Sequence, residues 1–158
     1  MNTKMKFLFI FFFLCGSFSI YASQPFYISL ELAGSGGLAS INAEKTIIQQ
    51  GNIDLGLRAG FSIAPIDRNN GTTLVFPLMI QTSWGSPVHK AEFGFGQSIS
   101  ITTRGNFHVL LPLSLGYRLS PAGSRFFFRF SYTPLISWLL DQQWQHWAGL
   151  SIGYRMGD

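Results

Sequence analysis

The sequence predicts an all-β fold, an eight-stranded antiparallel up-and-down transmembrane β-barrel, from three observations. Apolar and polar residues alternate with period two over most of residues 23–158, which we treat as one barrel domain. Charged residues make up only 11% of the 158 residues, whereas soluble domains have about 25%. Beyond the N-terminus no apolar stretch is long enough for a spanning helix, and lipid admits only helices and closed barrels.

The first 22 residues have the layout of a secretory signal peptide. Lys4 and Lys6 form a positive start, an apolar run extends from Phe7 to Leu14, and Ala22 is a small residue suited to cleavage. An uncleaved anchor helix is the less favoured alternative, because the run is shorter than the roughly 20 residues that a spanning helix needs. We therefore expect export and removal of residues 1–22.

The first three strands are predicted from clean alternation at residues 26–33, 39–44 and 53–62. Residues 34–37, Gly-Ser-Gly-Gly, supply the first turn, and residues 65–71 are a strong turn signal that contains Pro, Asn and Gly. These segments therefore read as the start of an antiparallel meander.

The fourth and fifth strands are predicted at residues 74–80 and 91–100, joined by a turn at residues 84–87. The fourth strand has a second face that is less polar than the others, and this face includes Pro77. Because proline cannot donate a hydrogen bond to a neighbouring strand, we expect a bulge or local irregularity there. In the fifth strand Gln97 interrupts the apolar face.

The last three strands are predicted at residues 108–118, 126–133 and 147–155. Pro112, like Pro77, cannot donate a hydrogen bond to a neighbouring strand. A longer, tryptophan-rich connection is expected from Pro134 to about Gln145. Eight strands of about ten residues match the length that crosses a bilayer when tilted. An even number of strands would place both termini on the periplasmic side.

The bulk of the side chains indicates which face is outside. The polar face is rich in Gly and Ser, which suit the narrow interior of an eight-stranded barrel, whereas the apolar face is rich in Phe. No charged residue falls on the apolar face of the assigned strands, where Arg or Lys at mid-bilayer would cost roughly 2–4 kcal/mol. A soluble lipocalin-like barrel is the less favoured alternative. Aromatic residues near strand ends are expected to form an interfacial girdle: Trp84, Tyr117, Tyr132, Trp147 and Tyr154.

The polar face also carries charges of both signs in equal number. These residues are Glu31, Glu44, Asp54, Glu92, Arg58, Arg118, Arg129 and Arg155. We interpret them as a structural network that fills the lumen, and a gated ion path is the less favoured reading. Glu92 and Arg118 fall near the same end of neighbouring strands, so we predict that they pair.

His108 is a weak catalytic candidate, expected to face inward near the outer rim, opposite Ser100 and Thr102. No acid is placed to orient its ring, as acid–base catalysis by a histidine commonly requires. The favoured interpretation is a histidine at the rim without a catalytic role, and no catalytic residue is assigned.

Other classes of site find little support in the sequence. His89 is expected in a turn and His146 in the last loop, and three scattered histidines without an acidic cluster do not predict a metal site. The only cysteine, Cys15, lies in the signal. No basic patch interleaved with aromatics indicates nucleic-acid binding, and no cofactor is implied. Trp138, Trp144 and Trp147 are read as membrane-interface anchors, with a surface-binding patch as the alternative.

Several segments together resemble the small eight-stranded outer-membrane β-barrel proteins of Gram-negative bacteria, the OmpA/OmpX-like barrels. They are the glycine-rich hairpin at 32–38, the strands at 57–61 and 89–96, and the closing strand at 149–155. The resemblance implies an outer-membrane location, a monomer, contact with outer-membrane lipid and lipopolysaccharide, and delivery to the barrel-assembly machinery by the closing strand. The family usually ends that strand on an aromatic residue, whereas this chain has Met156.

The sequence and the resemblance together favour a non-enzymatic protein with a structural or surface-interaction role and a filled lumen. Some barrels of this resemblance are enzymes that act on lipid A, so a lipid-modifying enzyme of hydrolase or acyltransferase type is one alternative. A narrow pore is another.

Overall fold

Eight antiparallel strands form a closed barrel, as the sequence predicts. The computed structural model describes residues 24–67, 71–103, 105, 107–137 and 143–157, and the predicted signal peptide lies outside them. The strands are β1 Phe26–Gly34, β2 Gly37–Gln50, β3 Ile53–Asp67, β4 Gly71–Gly85, β5 His89–Thr102, β6 Phe107–Leu119, β7 Phe126–Ser137 and β8 Gln143–Met156. Each pairs with the next, and β1 pairs with β8. No helix among the described residues is long and apolar enough to cross a membrane.

The period-two alternation gives the barrel two chemically different faces. Large apolar side chains lie on the outside, where Leu115 is 62% exposed and Phe130 60%. The buried side chains are mostly polar or charged, and the buried hydrophobic residues among those described are Val75, Met79 and Phe127. The arrangement is the reverse of a water-soluble domain, in which apolar side chains fill the core.

Both described ends of the chain lie at the same end of the barrel. Phe26 pairs with Met156 there, and the connections β2–β3, β4–β5 and β6–β7 are at that end too. We call this the terminus end, and we call the opposite end, where Gly34 pairs with Gly37, the loop end. An even number of strands, as predicted from the sequence, places the first and the last strand ends on the same side in this way.

Several strands are longer than the sequence suggested. β2 continues to Gln50 because a register shift between Thr46 and Ile48 absorbs one residue. β3 runs to Asp67 into the segment expected to be a turn, with a second register shift between Pro65 and Asp67.

The turn expected at residues 84–87 is also shorter, because β4 includes Trp84 and Gly85.

The longer β2 corrects the expectation that the outer face carries no charged residue, because it adds Lys45 to that face. It pairs with Phe26 and Leu57 on the outer wall at the terminus end, so the outer face does carry one charge there.

The tryptophan-rich segment before the last strand is mostly strand. β7 continues to Ser137 and β8 begins at Gln143, so the connection spans residues 138–142, whereas residues 134–145 were expected. Pro134 pairs with His146, which therefore lies in β8 and not in a loop.

Three prolines interrupt hydrogen-bonded ladders without shifting the register. The β3–β4 ladder stops at Ala59 and Leu78 and resumes three residues later, at Ser62 and Val75, beyond Pro77. Pro112 accompanies the same kind of gap between β5 and β6, and Pro134 accompanies one between β6 and β7. The irregularity expected at Pro77 is present as a gap and not as a bulge, because the missing N–H affects one neighbour only.

Candidate functional site

The lower lumen, towards the terminus end, holds two buried glutamates and two buried arginines. Arg118 of β6 places Nε 2.5 Å from Oε1 of Glu92 on the neighbouring strand, which is the ion pair that the sequence predicts. Arg118 also pairs with Glu44. Arg129 of β7 places Nη2 2.5 Å from Oε2 of Glu44 and donates from Nε to Glu92. These residues form a charge quartet in which each arginine contacts both acids.

The quartet crosses the lumen. Glu44 belongs to β2 and Arg118 to β6, which are four positions apart in the ring of eight strands and therefore face each other. Gln81 of β4 donates from Nε2 to Glu92 Oε2 at 2.9 Å, so a fifth strand joins the network. The side chains of the quartet and Gln81 therefore meet inside the lumen at this level.

A second ion pair lies closer to the loop end. Arg58 of β3 places Nη2 2.7 Å from Oε2 of Glu31 on β1, and both side chains are almost fully buried. The same carboxylate oxygen accepts hydrogen bonds from Ser40 at 3.2 Å and Ser35 at 3.3 Å. Hydroxyl donors thus take up part of the carboxylate's hydrogen-bonding capacity, as burial of a charge requires.

A third ion pair lies near the opening at the terminus end. Lys90 of β5 contacts Asp54 of β3, and Ser83 donates to the same carboxylate at 3.4 Å. Side-chain exposure is 14% for Lys90 and 11% for Asp54, higher than in the pair made by Arg58. The sequence analysis did not assign Lys90 to the lumen, although it precedes Glu92 by two residues and so shares its face.

Phe127 is a lumen residue that the sequence analysis did not identify. Its side chain is 2% exposed, and the guanidinium carbons of Arg118 and Arg129 lie 4.7 and 5.4 Å from its ring centroid. Tyr27 meets the same ring edge-to-face at 5.6 Å. The ring gives the buried guanidinium groups a favourable π face. The signal was available, since Phe127 alternates with Arg129 and Ser131.

Arg155 is the predicted network residue that the structure does not bring into the lumen network. It is exposed at the terminus end, beside the opening of the barrel, and no ion pair among the described residues includes it. The other predicted members, Glu31, Glu44, Asp54, Arg58, Glu92, Arg118 and Arg129, are all buried inside. With Lys90 in the place of Arg155, the lumen still holds equal numbers of acidic and basic side chains.

His108 lies where the sequence places it, on the inward face of β6 and directly opposite Ser100. It is half-buried, and among the described residues no carboxylate is bonded to its ring. The other two histidines are exposed on the outer wall, each stacked on a tyrosine. His89 opens β5, not a turn, and contacts the Tyr117 hydroxyl, while His146 Nδ1 lies 2.5 Å from the Tyr132 hydroxyl. No metal-binding cluster occurs among the described residues.

The expected aromatic girdle is present in part. Trp84, Tyr117, Tyr132 and Tyr154 are exposed on the outer wall. Trp147 pairs with the buried Thr133, so it lies on the inward face, and its place in the girdle was wrong. The predicted tryptophan cluster lies mostly outside the described part of the chain, which includes neither Trp138 nor the side chain of Trp144.

Comparison with known proteins shows the fold. No family model matches the chain, and no curated protein matches it significantly. Among solved structures, the N-terminal β-barrel domain of OprF from Pseudomonas aeruginosa superposes with a TM-score of 0.58 at 13% identity. The match covers 84% of this chain and 96% of that domain. At this identity the likeness establishes a closed eight-stranded barrel of the same architecture.

Proposed function

We propose that this protein is an integral outer-membrane β-barrel with a structural or surface-interaction role and a closed lumen. The observation that carries the proposal is the inverted distribution of polarity. The described outer wall is mainly apolar, with Lys45, His89 and His146 as exceptions, whereas the buried set is mainly polar and charged. Exposing that outer wall to water would cost about 25 cal/mol for each Å² of apolar surface, so lipid is the solvent that suits it.

The lumen supports a structural role more than transport. Its acids and bases contact one another across the barrel, and breaking a buried pair by removing one partner costs about 3–5 kcal/mol. That cost opposes any rearrangement that separates the paired side chains, and these side chains lie in the path that a solute would take. We infer that any interaction with other molecules occurs on the rim or the outer wall.

The outer wall fits outer-membrane lipid as its partner, and the loop end would then meet lipopolysaccharide. The closing strand β8 presents alternating apolar side chains outward: Leu150, Ile152, Tyr154 and Met156. This pattern supports delivery to the barrel-assembly machinery. A monomer is part of the proposal, since the barrel closes on itself and its ring of strands needs no second copy.

Fractionation and gel mobility test the proposal. Expression of the full chain in a Gram-negative host should give protein in the outer-membrane fraction that migrates faster on a denaturing gel before heating than after. N-terminal sequencing of the mature product should begin at Ser23. A soluble periplasmic product without heat-dependent mobility would refute the membrane barrel.

A further inference from the structure

The first hairpin is shorter than the barrel wall on either side of it. The ladder between β1 and β8 ends at Leu32 and Leu150, and the ladder between β2 and β3 ends at Ser40 and Ser62. Beyond these pairs β8 continues through residues 143–149 and β3 through residues 63–67, and no described residue of β1 or β2 forms a ladder pair with them. We call the space between these two strand ends the wall gap. It is two strands wide, so about 14 Å separates β8 from β3 at the roughly 4.8 Å spacing of neighbouring strands.

The first turn lies on the lumen side and not in the plane of the wall. Ala33 has a left-handed backbone conformation with φ of 52°, and Gly34, Ser35 and Gly36 after it are all buried. The Ser35 hydroxyl donates to the Glu31 carboxylate inside the barrel at 3.3 Å. The turn therefore stays out of the wall gap, which remains open between β8 and β3.

The backbone of β8 directs hydrogen-bonding groups into the wall gap. The amide N–H of Arg155 donates to the carbonyl oxygen of Arg125, on the β7 side. Because these groups alternate along an antiparallel strand, even-numbered residues of β8 direct their N–H and C=O towards β1, as Leu150 does. The register with β7 is continuous from Phe126 to Ser137, so the alternation keeps its phase. His146 and Trp144 therefore direct their backbone groups into the gap.

The two edges of the wall gap differ in how they are protected. By the same alternation Pro65 of β3 faces the gap, because the carbonyl oxygen of Asn52 accepts from β4, and proline has no N–H to offer. A register shift follows between Pro65 and Asp67. Proline and local irregularity are devices that protect a strand edge against pairing. Residues 143–149 of β8 contain neither proline nor a charged residue, so this edge can accept a further strand.

The side chains beside the edge indicate what such a strand would contain. Ala148 and Leu150 are exposed on the outer wall, while Trp147 and Gly149 face inward. In β1 the residue that pairs with Leu150 is Leu32, which is apolar and faces outward. A strand that continues the place of β1 therefore has apolar residues outward, paired through their backbone with β8, and small polar residues inward.

We propose that the wall gap binds an extended segment of another protein, which pairs antiparallel with β8 at His146 and Trp144. The segment alternates apolar and small polar residues. In such strand addition the main-chain hydrogen bonds supply affinity and the alternate side chains supply specificity. The inference names a partner for the surface-interaction role proposed above and rests on that role, but the pairing itself needs only the folded barrel.

The experiment measures fluorescence polarisation of labelled octapeptides with the folded protein in phosphatidylcholine nanodiscs, and empty nanodiscs give the baseline. A peptide of alternating valine and serine should bind saturably. N-methylation of its valines removes the donors that face β8 and should abolish saturable binding. N-methylation of its serines, which face away from β8, should change the affinity by less than about twofold. A peptide with its valines in one block and its serines in another should not bind saturably.

The matched variants separate the backbone edge from nearby side chains. His146→Pro removes an N–H that points into the gap and leaves the β7 ladder intact, so it should weaken binding about fivefold, the value of one main-chain hydrogen bond. Tyr132→Ala removes the contact that the His146 ring makes on the outer wall but no backbone donor, and it should change binding by less than about twofold. Both variants should keep heat-dependent gel mobility.

Three results would overturn the proposal. The first is no saturable binding of the alternating peptide, and the second is equal loss from N-methylation of valines and of serines. The third is a dimer of the wild-type protein that His146→Pro dissociates, because the gap would then hold a second copy of this chain. Fractionation and gel mobility are measured without peptide, so a failure of the membrane barrel is distinguishable from a failure of this inference.

Discussion

Replacing Glu92 by glutamine removes one of the two acids of the charge quartet while keeping the size of the side chain. In the wild type, Glu92 contacts both Arg118 and Arg129 and accepts from Gln81. After the change, two buried arginines share Glu44 as their only acid in the quartet. One positive charge would therefore be left without a full partner in a lumen from which water is largely excluded.

The magnitude follows from the burial of these groups. The side chains of Glu92 and Arg129 are 1% and 0% exposed, and removing one partner of such a pair costs about 3–5 kcal/mol. Glutamine keeps one acceptor oxygen, so we expect the lower half of that range, about 3–4 kcal/mol in the free energy of unfolding. The double variant Glu92→Gln with Arg129→Met restores equal charge and should cost less than the sum of the single changes.

The assay is urea unfolding of the protein refolded into lipid vesicles, followed by tryptophan fluorescence. Asp54→Asn is the matched control, because it also converts a carboxylate to an amide, but its partner Lys90 lies beside the opening at the terminus end and can turn towards water. It should cost about 1 kcal/mol, as partly solvated pairs do. If Glu92→Gln costs no more than Asp54→Asn, or if the double variant shows no coupling, the quartet does not hold the walls together.

Three further outcomes are expected. Gly153→Val should destabilise the barrel, because a Cβ there would lie 2.2 Å from Cζ of Phe127. Gly94→Ala should be tolerated, because the nearest atom to a Cβ there is the flexible Cε of Met79 at 3.3 Å. Equal unfolding midpoints of the two variants in urea would contradict this. Wild-type protein in planar bilayers should give no steady current, because the quartet crosses the lumen, and regular single-channel steps would favour a pore. His108→Ala should leave the lipid A profile unchanged in mass spectrometry, and a changed profile would support the lipid-modifying enzyme.

The sequence predicts strands well where alternation is unbroken and poorly where it changes phase. β2 was cut at Glu44 because the adjacent apolar residues Ile47 and Ile48 break the period, and the structure absorbs one residue by a register shift at that point. β7 and β8 were shortened because Pro134 reads as a turn. It is tolerated in β7 because the ladder to β6 is interrupted there while the ladder to β8 continues.

The composition of the lumen could be predicted, but most of its pairings could not. Glu92 and Arg118 are on adjacent strands, so their pairing follows from register. The contacts of Glu44 with Arg118 and Arg129 span the lumen and depend on how the ring closes, which alternation does not report. Arg155 was misassigned because its face is inward by parity, although the last residues of β8 extend to the opening, where an inward face meets solvent.

The three prolines give the barrel wall an uneven mechanical strength around its circumference. β6 is the strand with an interrupted ladder on both sides, towards β5 and towards β7. The ladder between β1 and β8, where the ring closes, is continuous from Phe26 to Leu32. Opening the wall on either side of β6 therefore means separating an interrupted ladder, whereas opening it between β1 and β8 means separating a shorter ladder without interruption.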